Sequence, residues 1–197
     1  RVVYPMKHKS ESLDCLKRYI QDMNISFRDH KVNTLRGLRS DNGGEYTGID
    51  FKNFCKNHGI RQDFGMPYGP QDNGLAEKSW HILCNMARAL RIQAGLGKGF
   101  WAEALNTAAY IWNRSRNSAL GPDETPYYKM FGKHASVKHF RTFGCKAFVH
   151  DTSVRRGKFD DRALEGIMIG YDDIGNNPKC YRIYIPSRGR YIRSGHV

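Results

Sequence analysis

The sequence has little that would cross-link it. Its five cysteines, Cys15, Cys55, Cys84, Cys145 and Cys180, are odd in number and far apart. That argues against a disulfide framework and for a reducing compartment. No C-x-x-C occurs, and no pair of histidines has zinc spacing. No run approaches the roughly 18 apolar residues that a membrane helix needs, and nothing at the start reads as a signal peptide, so a membrane partner is not expected. Acidic side chains are scarce: 19 Asp and Glu stand against 32 Lys and Arg, for a net charge of +13.

An excess of that size favours a polyanionic partner, and nucleic acid is the usual one. The charge is also unevenly placed. Residues 1–131 carry 19 basic and 13 acidic groups, whereas residues 132–197 carry 13 and 6. The shorter part is about twice as charged per residue, which makes it the better candidate for gripping backbone phosphates. With 197 residues and 40% hydrophobic content, the chain can fold as one medium domain plus a small one. It opens on Arg1, already in the strand-like stretch Val2-Val3-Tyr4, which suggests part of a longer protein.

Apolar spacing predicts a strand over Arg1–Met6 and a helix from Ser10 to about Asn24, with Ser10 as its cap. Val32–Leu38 reads as a strand, Asp50–His58 as a short helix ended by Gly59, and Ile60–Phe64 as a further strand. A loop over 65–73 leads into a helix from Gly74 to about Gln93, with Leu75, Ile82, Met86 and Leu90 as its apolar stripe. Phe100 to about Arg114 reads as another helix, its aromatics in the core. Thr125–Gly132 follows as a short helical turn. From Val137 the pattern changes to short strands: Ala147–His150, Gly166–Tyr171, Cys180–Ile185 and Arg190–Arg193. The expected division is therefore 1–132, a mixed helix-and-strand domain, and 133–197, a small, basic, barrel-like β unit.

Two stretches carry the candidate chemistry. Arg39-Ser40-Asp41-Asn42-Gly43-Gly44-Glu45-Tyr46 puts Asp41 at the mouth of a strand, in a turn whose Asn-Gly-Gly tolerates positive φ. Pro67-Tyr68-Gly69-Pro70-Gln71-Asp72-Asn73-Gly74-Leu75-Ala76-Glu77 is a loop running into a helix, with Asn73 as N-cap and Glu77 on the first turn. Two carboxylates on different elements, brought to one place, suit a divalent cation with hard oxygen ligands. Further along the second helix, His81, Cys84, Arg88 and Arg91 continue a row from Glu77, along which a nucleic-acid backbone could lie. Lys78 sits beside that row. Arg155, Arg156 and Lys158 form a second basic group.

The wording of these stretches resembles the integrase core of retroviruses and long-terminal-repeat retrotransposons, whose second Asp and Glu are commonly 35 residues apart. Here 35 residues lie between Asp41 and Glu77. Ser-Asp-Asn-Gly-Gly-Glu-Tyr followed by Pro-Gln-x-Asn-Gly-x-Ala-Glu looks like the copia-type branch. Thr125-Pro126-Tyr127, Phe143-Gly144-Cys145, Gly157-Lys158-Phe159-Asp160 and Tyr181-Arg182-Ile183-Tyr184 look like the segments that follow it. The resemblance implies an α/β, ribonuclease-H-like core with a small all-β basic module behind it. It implies Asp41 and Glu77 as catalytic residues and metal ligands for Mg²⁺ or Mn²⁺, and Gln71, Asn73 and Gly74 as an active-site loop. It implies DNA as partner (element ends and target), self-association on DNA, and work in the nucleus, with a cytoplasmic location before entry. The reaction implied is strand transfer, with Lys78, His81, Arg88, Arg91, Arg155, Arg156 and Lys158 against the DNA.

The family's first Asp lies on a strand upstream of a segment like Arg1–Tyr4, so the core reads as truncated, its first strand missing and the fragment inactive alone. The helix after Glu77 continues Lys78-Ser79-Trp80-His81 where the family has a more basic run, and Asp72 adds an acid to the loop. Three readings follow: an integrase fragment, a non-catalytic DNA-binding remnant of such an element, and a divalent-metal nuclease of the same fold.

Overall fold

The structure is a computed structural model that describes residues 1–27, 35–65, 74–117, 119–151, 162–172 and 180–195. It divides into two compact units, Tyr4–His81 and Arg1–Val3 with Ile82–Val197. The boundary at 132 expected from the sequence follows the change from helices to strands. The compact units follow packing instead, and their boundary falls between His81 and Ile82.

In Tyr4–His81 the chain begins with a 3-10 turn, Lys9–Glu11, leading into α1, Ser12–Ser26. Ser10 does not cap α1. It lies inside the turn, and Glu11 caps backwards, its Oε1 accepting from the His8 N–H at 3.0 Å. Strand β1, Gly37–Ser40, is followed by α2, Gly44–Thr47, α3, Ile49–Asn57, and β2, Arg61–Phe64. β1 and β2 pair in parallel, from Gly37 with Arg61 to Ser40 with Phe64. A parallel pair needs a crossover connection, and α2 and α3 provide it. Leu16, Phe51, Cys55 and Ile60 form the core, with Leu13, Ile20, Leu38 and Phe54 packed around them. Gly59, at φ +65°, ends α3 as its position predicts.

Two local expectations fail here. Residues 1–6 are not a strand: among the described residues no strand lies alongside them, and a strand needs a partner to satisfy its backbone. The Arg1 ammonium and carbonyl bond the Asn113 side chain at 2.6 and 2.7 Å instead. Neither glycine of Asn42-Gly43-Gly44 uses the positive φ it tolerates, and Gly43 sits at φ −54°, ψ 141°. Its carbonyl accepts from Tyr46 and Thr47 and starts α2, an element the sequence pattern did not suggest.

Helix α4 spans Gly74–Gln93, α5 Trp101–Arg114 and α6 Pro126–Phe131. On α4 the buried residues are Leu83 and Ala87, with Cys84, Met86 and Leu90 partly covered, while Leu75 is 88% exposed. The expected stripe is therefore rotated toward Cys84. On α5 the buried core is made by Ala104, Leu105, Thr107, Ala108 and Ala109; of the aromatics expected there, Phe100 and Trp112 pack against it partly buried, while Trp101 is half exposed. The small side chains let the later strand that carries Ile169 come close: Thr107 Oγ1 donates to the buried Ile169 carbonyl at 3.4 Å. In α6, Thr125 Oγ1 accepts from the Tyr128 N–H at 3.1 Å, and Gly132, at φ +66°, stops the helix.

Strands β3, Lys146–His150, β4, Ala163–Tyr171, β5, Tyr181–Ile185, and β6, Arg190–Ser194, form one antiparallel sheet in sequence order. A bulge between Met168 and Gly170 bends β4. One sheet face gathers Ala147, Val149, Met168, Tyr181, Ile183 and Ile185. Ile169 joins the α4–α5 core. A mixed α/β part followed by a small antiparallel β unit is the architecture expected from the sequence. Among the described residues no helix is long and apolar enough to cross a membrane.

Candidate metal and nucleic-acid site

Asp41 leaves the carboxyl end of β1, the end of a parallel pair where α/β proteins tend to place their ligands. The local chain fixes it there. The Gly43 N–H donates to Asp41 Oδ1 at 3.1 Å, the Asn42 amide donates to the Gly65 carbonyl at 3.2 Å, and the Gly65 N–H donates to the Ser40 carbonyl at 3.0 Å. The segments after β1 and β2 are thus tied together.

A second carboxylate stands beside the first. A side-chain carbon on Gly43 would lie 2.8 Å from Glu45 Oε2 and 3.0 Å from Asp41 Oδ1. Glycine leaves room here for the ends of both carboxylates. The Glu45 side chain is 17% exposed and pairs with Lys9 at 3.5 Å. Burial first, then the Asp41 and Glu45 charges, push the Tyr46 phenol above its usual pKa. Sequence reasoning quoted Glu45 but gave it no role, because its nearness to Asp41 depends on the turn and not on spacing.

Glu77 lies exposed on the first turn of α4, in the same compact unit as Asp41. Gly74 starts that helix, and Lys78 and His81 are exposed on it. Arg88 is exposed and donates to Asn85 Oδ1 at 2.7 Å. Arg91 is half-buried and donates to the Leu96 carbonyl at 2.8 Å, just past the helix end. Cys84 packs on the core, so the row from Glu77 to Arg91 is interrupted. Gln71, Asn73, Arg155, Arg156 and Lys158 lie outside the described residues.

The charge of the β unit is partly spent internally. Arg188 pairs with the buried Asp151 at 2.8 Å and Arg182 with Glu103 at 3.6 Å. Arg193 Nε sits 2.5 Å from the buried Asp172 Oδ2, as an ion pair without hydrogen-bond alignment.

For a cation, the donors are right in kind. Carboxylate oxygens are hard ligands suited to Mg²⁺ or Mn²⁺, and among the described residues no group hydrogen-bonds Asp41 Oδ2. They are few in number: no group of three or more His, Cys, Asp or Glu among the described residues is placed to hold a metal ion.

Residues 145–197 match the family described as the retroviral polymerase SH3-like domain. The chain is 40% identical over 163 residues to the retrovirus-related Pol polyprotein from transposon TNT 1-94 of Nicotiana tabacum, covering 83% of this chain and 12% of that protein. It is 29% identical over 199 residues to the retrovirus-related Pol polyprotein from transposon RE2 of Arabidopsis thaliana, covering 99% of this chain and 13% of that protein. The chain thus spans about an eighth of the length of these relatives. Two solved structures are also similar. The catalytic core domain of BIV integrase has a TM-score of 0.46 at 26% identity, over 66% of this chain and 74% of that one. A simian T-cell lymphotropic virus intasome in complex with PP2A regulatory subunit B56 gamma has a TM-score of 0.49 at 16% identity, over 96% and 63%. The sequence matches define a class first, a segment of a retrovirus-related Pol polyprotein. Within that class the chain belongs to the integrase region of copia-type retrotransposons.

Proposed function

We propose that Asp41 and Glu77 are two ligands of a divalent-metal site at which the full-length protein lets a DNA 3′-hydroxyl attack a target phosphodiester, the new P–O bond forming as the target's P–O3′ bond breaks and its 3′-oxygen leaves as a hydroxyl. The observation that carries the reading is the fixed Asp41 carboxylate at the carboxyl end of a parallel strand pair, in one compact unit with Glu77. Mg²⁺ or Mn²⁺ bound there would polarise the phosphodiester and stabilise the developing negative charge. The chain's own part is to hold oxygens still. The Gly43 N–H fixes one Asp41 oxygen, and the tie between Asn42 and Gly65 keeps the turn from drifting. Lys78, His81 and Arg88, exposed on α4, are the side chains we place against a DNA backbone. By resemblance, self-association on DNA, activity in the nucleus and a third acid on an upstream strand complete the reading. The division into a core over 1–132 and a basic module over 133–197 belongs to it as well.

The second reading is a DNA-binding remnant without catalysis, which the net charge of +13 suits as well. Asp41→Asn in a chain extended upstream separates the two. Loss of strand transfer with DNA affinity unchanged or higher supports the metal site, whereas joining at the wild-type rate refutes it. Measuring DNA affinity against salt tests the grip itself, since a phosphate-driven contact weakens steeply as salt rises.

A further inference from the structure

Glu45 is the acid that the proposed site leaves without a role. Its carboxylate is divided between two neighbours. Oε1 lies 3.5 Å from the Lys9 ammonium. Oε2 turns over Gly43, where a side-chain carbon would lie 2.8 Å from it and 3.0 Å from Asp41 Oδ1. The Glu45 and Asp41 oxygens are therefore within about 6 Å of each other, a range over which charges influence one another. The backbone around Glu45 is held from several sides. Ser12, buried at the start of α1, donates its hydroxyl to the Glu45 carbonyl at 3.3 Å. The Gln62 amide on β2 donates to the Tyr46 carbonyl at 3.1 Å, and the Thr47 hydroxyl to the Gly43 carbonyl at 3.3 Å. The Glu45 side chain is 17% exposed, against 83% for Lys9, so the acid is fixed and its counter-ion is open to water. An ion pair with one partner so exposed is cheap to leave.

We infer that Glu45 is a positioning residue for the cation proposed at Asp41, acting from one layer behind the ligands, and that Lys9 competes with the cation for its charge. The inference rests on the metal-site reading. Mg²⁺ bound by one or two carboxylates keeps several of its waters. A carboxylate standing behind the ligands accepts hydrogen bonds from such waters and adds attraction for the ion without touching it. Glu45 Oε2, on the Asp41 side, is the oxygen placed for that task. Lys9 opposes it in two ways, by occupying the other oxygen and by cancelling charge next to the site. Glu45 and Lys9 therefore act on cation affinity with opposite signs.

The test is the binding of Mn²⁺ alone to the full-length protein, read from the free-ion signal in electron paramagnetic resonance. Asp41→Asn marks the binding that belongs to this site. Glu45→Gln keeps the shape of the side chain and removes its charge, and is expected to weaken the Asp41-dependent affinity about 10-fold. Lys9→Gln breaks the same ion pair from its other side and is expected to tighten that affinity about 2-fold. A residue that merely held the turn would make both changes weaken binding, so the opposite signs separate the two roles. Thermal unfolding of each variant checks the fold. Unchanged affinity in Glu45→Gln overturns the inference, and so does weaker or unchanged affinity in Lys9→Gln. A loss in Glu45→Gln as large as that in Asp41→Asn makes Glu45 a direct ligand and overturns the positioning role. Equal binding by wild type and Asp41→Asn overturns the metal-site reading and this inference with it, so the two failures are told apart.

Discussion

Gly43→Ala probes the turn that holds Asp41. The backbone at φ −54°, ψ 141° is open to alanine, so no dihedral strain arises. The cost falls on side chains. The new methyl would sit 2.8 Å from Glu45 Oε2 and 3.0 Å from Asp41 Oδ1, well inside the roughly 3.5–4.0 Å of an ordinary contact. One or both carboxylates must swing, at about 0.5–1.5 kcal/mol for each side chain forced off its rotamer. A weakened bond from the Gly43 N–H to Asp41 adds a similar amount, about 0.5–1.5 kcal/mol. Replacing glycine stiffens the unfolded chain and returns about 0.4–1 kcal/mol. The net loss is about 1 kcal/mol, or a Tm lower by about 2–4 °C for a chain of this size. Thermal unfolding of wild type, Gly43→Ala, Glu45→Ala and the double variant measures it. Removing the Glu45 carboxylate relieves the nearer clash, so Gly43→Ala should cost about 0.5 kcal/mol less or better in the Glu45→Ala background. On the metal-site proposal, strand transfer by the full-length protein should fall by about 10-fold or more, since a displaced ligand would cost rate steeply. Strictly additive stabilities would refute the picture of two acids closing over Gly43.

Two further outcomes test the units separately. The Tyr4 hydroxyl donates to Asp22 Oδ2 at 2.7 Å, and burial first, then that bond to a carboxylate, raises its pKa above the ordinary value. A raised folded-state pKa gives stability that is complete below the unfolded value of about 10 and lost as pH climbs beyond it. Denaturant titrations of the wild type should therefore weaken above pH ~10, and Tyr4→Phe should flatten that decline. In the β unit, Ile183 is 0% exposed on the central strand β5. Ile183→Ala should cost about 2–5 kcal/mol, read as a lower denaturant midpoint.

The sequence by itself determined which elements form wherever periodicity was clear. α1, α3, α4 and the four β strands fall where apolar spacing placed them, to within a few residues, because their spacing is matched by burial on one face. It also determined that Asp41 ends a strand and that Glu77 starts a helix, since turn residues and a helical pattern are local signals. Only the tertiary structure decided how the basic excess is divided. Arg91, Arg182, Arg188 and Arg193 are held by carbonyls or buried acids that are remote in sequence or hidden by the fold. Only it decided that residues 1–6 do not form a strand, because a strand exists through its neighbour and not through its own composition. The nearness of Glu45 to Asp41 belongs there too: two acids four positions apart both approach Gly43 because the backbone turns at a residue with no side chain to keep them away.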